Sequence, residues 1–167
     1  TSYETPERSA EMLRQRIGSD INALQTMLPL KGIPTLVAVG SDARFMAQQI
    51  GSPMGEGLHA IPADAFLRQV AQCASHSTEG LVKRHGLPYP DAETLVPALL
   101  IYEALLRAMR ARRVIIADVS MRDGLLLDVV RIATGQEALS LTDGVLHSAA
   151  APAATSRVDA EHAGHVA

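Results

Sequence analysis

Two short segments of this 167-residue chain carry residue types suited to holding an anion. The first is Val39-Gly40-Ser41-Asp42-Ala43-Arg44. A glycine directly after an apolar run lets backbone N–H groups and a helix N-terminus approach a phosphate, and Ser41 can donate a further hydrogen bond. Ser-Asp before a helix serves equally well as capping, and Asp42 there would repel a phosphate, so both readings stand. The second is Ser120-Met121-Arg122-Asp123-Gly124. Arg122 falls in the first turn of a helix, where the dipole already favours anions, and a guanidinium there completes a phosphate site. The alternative is a surface ion pair between Arg122 and Asp118 or Asp123, which contributes little.

Other reactive side chains have simpler explanations. Arg107, Arg110, Arg112 and Arg113 could bind a polyphosphate, but such a run is more often a helix C-terminus rewarded by the dipole. Lys83-Arg84-His85 reads the same way. His162 and His165 are three apart, so on a helix they share a face and could form a metal pair. No third ligand lies near them in sequence, so no metal site is assigned. Cys73, the single cysteine, lies in an amphipathic stretch and reads as a buried structural thiol. It excludes an internal disulfide, and a reducing, cytoplasmic setting is the simplest expectation. There is no Walker-type glycine loop, Gly-x-Ser-x-Gly elbow or Cys-x-x-Cys pair, and no carboxylate stands out as a general base. No catalytic residue is assigned to this chain.

Both anion-binding segments follow apolar runs. Thr35-Leu36-Val37-Ala38-Val39 and Arg113-Val114-Ile115-Ile116-Ala117 lack a helical period and read as strands buried on both faces. Helices follow over Ala43–Ile50, closed by Gly51, and over about Arg122–Ala133. Ligands of open α/β sheets sit at such carboxyl ends. Upstream, Thr5-Pro6-Glu7 opens a helix striped by Leu13, Ile17, Ile21, Leu24 and Leu28, broken at Lys31-Gly32-Ile33-Pro34. Gly55–Ile61 reads as loop with a short edge strand at Leu58–Ile61, followed by helices over Pro62–Ala74 and Thr78–His85, the second closed by Gly86. From Asp91 runs the strongest helix, with Leu95, Leu99, Tyr102, Leu106 and Met109 on one face. Pro97 inside it predicts a kink or a start near Val96. Beyond Gly135 come a weaker apolar stretch (Ala138–Thr142), an Ala/Pro linker (149–156) and an incomplete helix (157–167).

Two strands of this kind need partners on their free edges. The chain either supplies further strands or takes them from a missing neighbour, and the second is the expectation. The absence of an initiator Met points the same way, to a chain cut from something longer. Composition sets the remaining bounds. Hydrophobic residues make up 47% and aromatics 3%, so the core is aliphatic and a base-stacking platform is disfavoured. A net charge of −3 gives no reason to expect a nucleic-acid surface. No apolar run reaches the roughly 18 residues needed to span a membrane.

Together with Asp91-Ala92-Glu93-Thr94-Leu95-Val96-Pro97-Ala98-Leu99-Leu100, the two strand-turn-helix segments resemble, in order and spacing, the exopolyphosphatase/guanosine pentaphosphate phosphohydrolase (Ppx/GppA) family of the actin-like ATPase superfamily. The resemblance covers about Pro6 to Gly135. It implies part of a ribonuclease-H-like α/β lobe, few strands flanked by several helices, within a two-lobed phosphoanhydride hydrolase. The catalytic glutamate, the glycine-rich phosphate loop and the ligands of an implied Mg²⁺ would lie outside this chain. Gly40, Ser41 and Arg44 would line the phosphate side of the cleft, with Arg122 as a further contact. Residues 1–148 would belong to that lobe and 157–167 would open a following helical, HD-like domain. The implied ligands are polyphosphate or guanosine penta- or tetraphosphate, and the whole protein could be a homodimer. Ser41-Asp42 stands where the family has Gly-Thr and Asp91 where it has arginine, giving a more acidic loop. That departure keeps a non-catalytic sensor lobe open as an alternative, and a sugar-kinase-like relative as another.

Overall fold

The computed structural model describes residues 5–135, and the chain divides into two compact units after Ser120. In the first unit, the Thr5 hydroxyl caps α1 (Pro6–Met27) by accepting from Arg8 N–H, and Pro6 occupies the first turn, where its missing donor costs nothing. The stripe on α1 packs with its first half only. Ala10 is buried and Leu13 and Ile17 rest against the core, whereas Leu28 lies beyond the helix in extended backbone. Gly32, at φ +92°, then turns the chain into β1 (Thr35–Ala38).

The order continues α2 (Ser41–Ile50), β2 (Ser52–Gly55), β3 (Leu58–Pro62), α3 (Ala63–Ala74), α4 (Thr78–His85), α5 (Tyr89–Met109) and β4 (Arg113–Ala117). The second unit contains α6 (Met121–Ala133). The α/β class expected from the sequence is present, as a mixed four-stranded sheet in the order β1-β4-β3-β2. β1 runs parallel to β4, with Val37 opposite Ile115, while β3 is antiparallel to both β4 and β2.

Two expectations about strands are corrected. The chain itself supplies the second partner of β4, through a β2–β3 hairpin; of the two expected strands only β1 keeps an edge with no partner among the described residues. The hairpin was hard to see because Ser52-Pro53-Met54-Gly55 has no β-branched residue, and its proline is tolerable only on a sheet edge. Its two-residue turn, Glu56-Gly57, takes φ of +33° and +73°, as a tight hairpin requires, but with Glu where Asn or Asp would have announced it. β3 is therefore an interior strand and β2 the edge. Secondly, β1 and β4 are buried on one face. Ala38, Val114, Ile116 and Ile61 point into the core, whereas Val37 is 63% exposed and Leu58 39% exposed on the opposite face.

The core lies between that buried face and the helices. Phe66 and Val70 of α3, Met46 of α2, and Leu95 and Leu99 of α5 are fully buried, each contributing about 1.5–3 kcal/mol. α5 starts at Tyr89, after Pro88 in extended backbone, so Pro97 neither shifts its start nor ends it. The carbonyl that Pro97 deprives of a donor is that of Glu93, an exposed residue, so solvent can satisfy it. α5 ends with Arg110 at φ +57°, and Ala111 N–H bonds back to the Leu106 carbonyl at 3.1 Å. Cys73 is buried as expected, and burial pushes its thiol pKa up. No helix among the described residues is long and apolar enough to cross a membrane. The Ala138–Thr142 stretch, the 149–156 linker, the 157–167 helix and the His162/His165 pair lie outside the described residues.

Candidate functional site

The carboxyl ends of the parallel pair β1 and β4 lie side by side, and α2 begins two residues beyond β1. The turn is set by Gly40, whose φ of +113° and ψ of 171° belong to a region essentially reserved for glycine. Gly40 takes the N-cap position, and Arg44 N–H donates to its carbonyl at 3.0 Å. With no side chain at the cap, no side-chain hydrogen bond closes the helix end. Neither Ser41 nor Asp42 takes the N-cap position, though the Asp42 carboxyl accepts from its own backbone amide in the first turn. Both lie inside the first turn, and Ser41 is exposed. The result is a helix N-terminus presenting backbone donors beside a residue that holds the backbone open.

From the helix layer, the Tyr102 hydroxyl donates to the Val39 carbonyl at 3.3 Å, and its ring stands edge-on to Phe66 at 6.0 Å. A long side chain rooted in the core thus fixes the residue preceding Gly40. The sequence marks Tyr102 as one of the core-facing residues of α5, and no local signal tells that its hydroxyl reaches the β1–α2 turn. Burial raises the Tyr102 pKa, with the neighbouring Asp42 adding to it. Burial also raises the Asp42 carboxyl, opposed by its own backbone amide and reinforced by Asp91. Negative charge at Asp42 is thus disfavoured by its surroundings.

Arg44, in the first turns of α2, directs its Nε to Asp118 Oδ1 at 3.7 Å. Asp118 follows β4, and its backbone N–H donates to the Gly57 carbonyl at 2.8 Å, which ties the hairpin turn to the same end of the sheet. Between α2 and the hairpin lies a cavity of about 240 Å³ lined by Arg44, Gln48, His59, Ile116 and Asp118. The His59 Nδ1 is buried with no hydrogen-bond partner among the described residues. Gln48 and His59 carried no sequence signal: the short strand expected at Leu58–Ile61 is present, but nothing in it singled out His59. Asp118 was visible only as a partner for Arg122.

The structure brings Gly40, Ser41 and Arg44 together at one end of one helix. Arg122 lies in the first turn of α6, in the other unit, and is exposed there. The arginine cluster does not join the site. Arg107 pairs with Glu103, Arg113 donates from Nε to Thr35 Oγ1 at 3.1 Å, and all four residues lie around the amino end of β4, opposite Gly40. Lys83, Arg84 and His85 form the last turn of α4, closed by Gly86 at φ +65°. Among the described residues no group of three His, Cys, Asp or Glu side chains could hold a metal ion.

No protein-family profile matches the chain, and no curated protein does. Solved structures do. An exopolyphosphatase from Cytophaga hutchinsonii superposes with a TM-score of 0.64 at 12% identity over 83% of this chain. A Ppx/GppA family member from Aquifex aeolicus superposes with 0.54 at 16% identity over 76%, and a further structure of the Aquifex aeolicus PPX-GPPA enzyme with 0.57 at 14% over 74%. The fold is therefore that of part of these proteins, as the motif order implied. The chain spans under half of their length, 46% of the first and 42% of the others.

Proposed function

We propose that this chain is the later part of the second lobe of a Ppx/GppA-type hydrolase. The reaction is release of the terminal phosphate of inorganic polyphosphate or of guanosine pentaphosphate. One observation carries the reading. Within a fold shared with exopolyphosphatase structures, the junction after β1 is an uncapped helix N-terminus behind a glycine at φ +113°, with a guanidinium four residues on. Backbone donors, a helix dipole and an arginine are what a phosphoanhydride oxygen requires. In this reading Gly40, Ser41 and Arg44 hold phosphate or nucleotide on one wall of a cleft, and Arg122, in the other unit, is a phosphate contact of its own. The attacking water, its general base and the glycine-rich loop come from the rest of a longer, cytoplasmic protein, which can pair as a homodimer.

Mg²⁺ supports such chemistry by neutralising phosphate charge. Among the described residues no group of three His, Cys, Asp or Glu fits it; following the family resemblance we place its ligands outside this chain, and no step is derived through it. The intact protein is expected to release phosphate from polyphosphate when Mg²⁺ is supplied, and the 167-residue chain alone is expected to be inactive. Turnover by the chain alone would overturn this division of labour.

A sensor lobe that binds without hydrolysis is the second reading. It is favoured by the acids at the site: Asp118 occupies the Arg44 guanidinium, and Asp42 sits in the first turn of α2. Calorimetry with polyphosphate and guanosine tetraphosphate, paired with the phosphate-release assay, separates the two. Binding without turnover by the intact protein selects the sensor.

A further inference from the structure

On the helical side of the first unit, away from the β1–α2 junction, α1 and α5 part to leave a cavity of about 360 Å³. Its floor is apolar, with Gly18 and Ile21 of α1 facing Leu100 and Ala104 of α5, while Asn22 and Gln25 add polar side chains to the lining. Arg14 and Arg107 stand at its edge, both held by one carboxylate. Glu103 Oε2 accepts from Arg14 Nε at 3.2 Å, and Oε1 accepts from Arg107 Nη2 at 2.8 Å and Nε at 3.2 Å. Glu103 is 7% exposed, the only charged side chain among the buried described residues. Glu11 also approaches Arg14, at 3.6 Å from Nη1, but lies outside the lining.

A buried, fully paired carboxylate adds little net stability over an apolar side chain of the same size. What Glu103 does accomplish is to orient two guanidinium groups over an apolar floor. Two arginines against one glutamate leave the lining with one net positive charge. Gly18 adds a separate observation. A glycine inside a helix costs about 1 kcal/mol relative to alanine. A Cβ at Gly18 would meet nothing within 4 Å, so close packing does not require glycine there. Its lack of a side chain keeps the cavity open.

We propose that this cavity binds a small amphipathic monocarboxylate. Glu103 and Glu11 leave Arg14 Nη2 and Arg107 Nη1 without a partner among the described residues. A planar carboxylate can accept from both, its single charge suits the lining, and a short aliphatic body covers the floor. A phosphate dianion matches neither, since it exceeds the charge and leaves the floor wet. The probe is octanoate, titrated into the intact protein by calorimetry, with octanol and inorganic phosphate as controls. Octanoate is expected to bind once per chain, at least about tenfold more tightly than either control. Arg107→Gln, at an exposed rim position, should weaken octanoate about tenfold or more. Gly18→Leu should abolish binding while leaving the melting temperature unchanged or higher, because leucine favours helix and projects into open space. Absence of octanoate binding up to about 10 mM, equal binding of octanol, or binding untouched by both substitutions would each overturn the proposal.

Discussion

Replacing Arg44 by glutamine separates the two roles open to its guanidinium. As a structural residue it has, among the described residues, only Asp118, at 3.7 Å, well beyond the ~2.7–2.9 Å of a strong charge-assisted hydrogen bond. The two side chains are 36% and 59% exposed, so water screens the pair and its contribution is at most about 1 kcal/mol. Arg44→Gln should therefore move the midpoint of denaturant unfolding very little. As a phosphate ligand the same group makes a charge-assisted hydrogen bond of about 1.5–3 kcal/mol, which is roughly 10- to 150-fold in affinity. Asp118→Asn supplies the opposite perturbation. It frees the guanidinium, and recovering up to about 1 kcal/mol should tighten substrate binding by up to roughly fivefold. The assay is Mg²⁺-dependent phosphate release from polyphosphate by the intact protein, with KM read alongside urea titrations of both variants. An Arg44→Gln protein that loses more than about 2 kcal/mol of stability, or one whose KM stays within about twofold of wild type, refutes the assignment.

Gly40→Ala is expected to cost about 1–3 kcal/mol in urea unfolding although a Cβ there meets nothing, because the strain lies in the backbone. Unchanged stability would mean that the turn relaxes, and the open α2 terminus would lose its physical basis. Asp42→Asn should stabilise at neutral pH. Burial raises the Asp42 pKa above its ordinary 3.8, so the folded state binds the proton more tightly than the unfolded chain does. Stability therefore falls as pH rises from that value through the raised one, and the advantage of asparagine should vanish below about pH 3.8 in paired melts. Replacing Arg14 and Arg107 together by methionine strands the Glu103 carboxylate and should cost about 3–5 kcal/mol, recovered by adding Glu103→Leu. Failure of that rescue in denaturant titrations would show that the arginines stabilise by packing rather than by pairing.

Periodicity and end signals placed most of the elements. The β-branched runs at Leu36-Val37 and Val114-Ile115-Ile116 are strands, Gly86 closes α4, and Thr5-Pro6 opens α1. The same periodicity placed Cys73 in the interior, because the amphipathic stripe around it leaves that position facing inward. The β2–β3 hairpin was not legible, since Ser52-Pro53-Met54-Gly55 owes its extended state to pairing with β3 rather than to its own preference. Nor was the depth of β1. An apolar run states that a strand tolerates burial on both faces, but only the arrangement of helices decides that Val37 stays exposed.

The site divides the same way. The glycine turn at Gly40 was legible, because its positive-φ conformation is local. The partners of that turn are not local. Tyr102 reaches Val39 across 63 residues, Asp118 reaches Arg44 from the far end of β4, and Arg14 meets Glu103 across 89. Side-chain type and spacing determine which groups a short segment presents. Which of them meet is decided by the packing of α5 on α1 and by the parallel pairing of β1 with β4, both set by contacts between segments far apart in the chain.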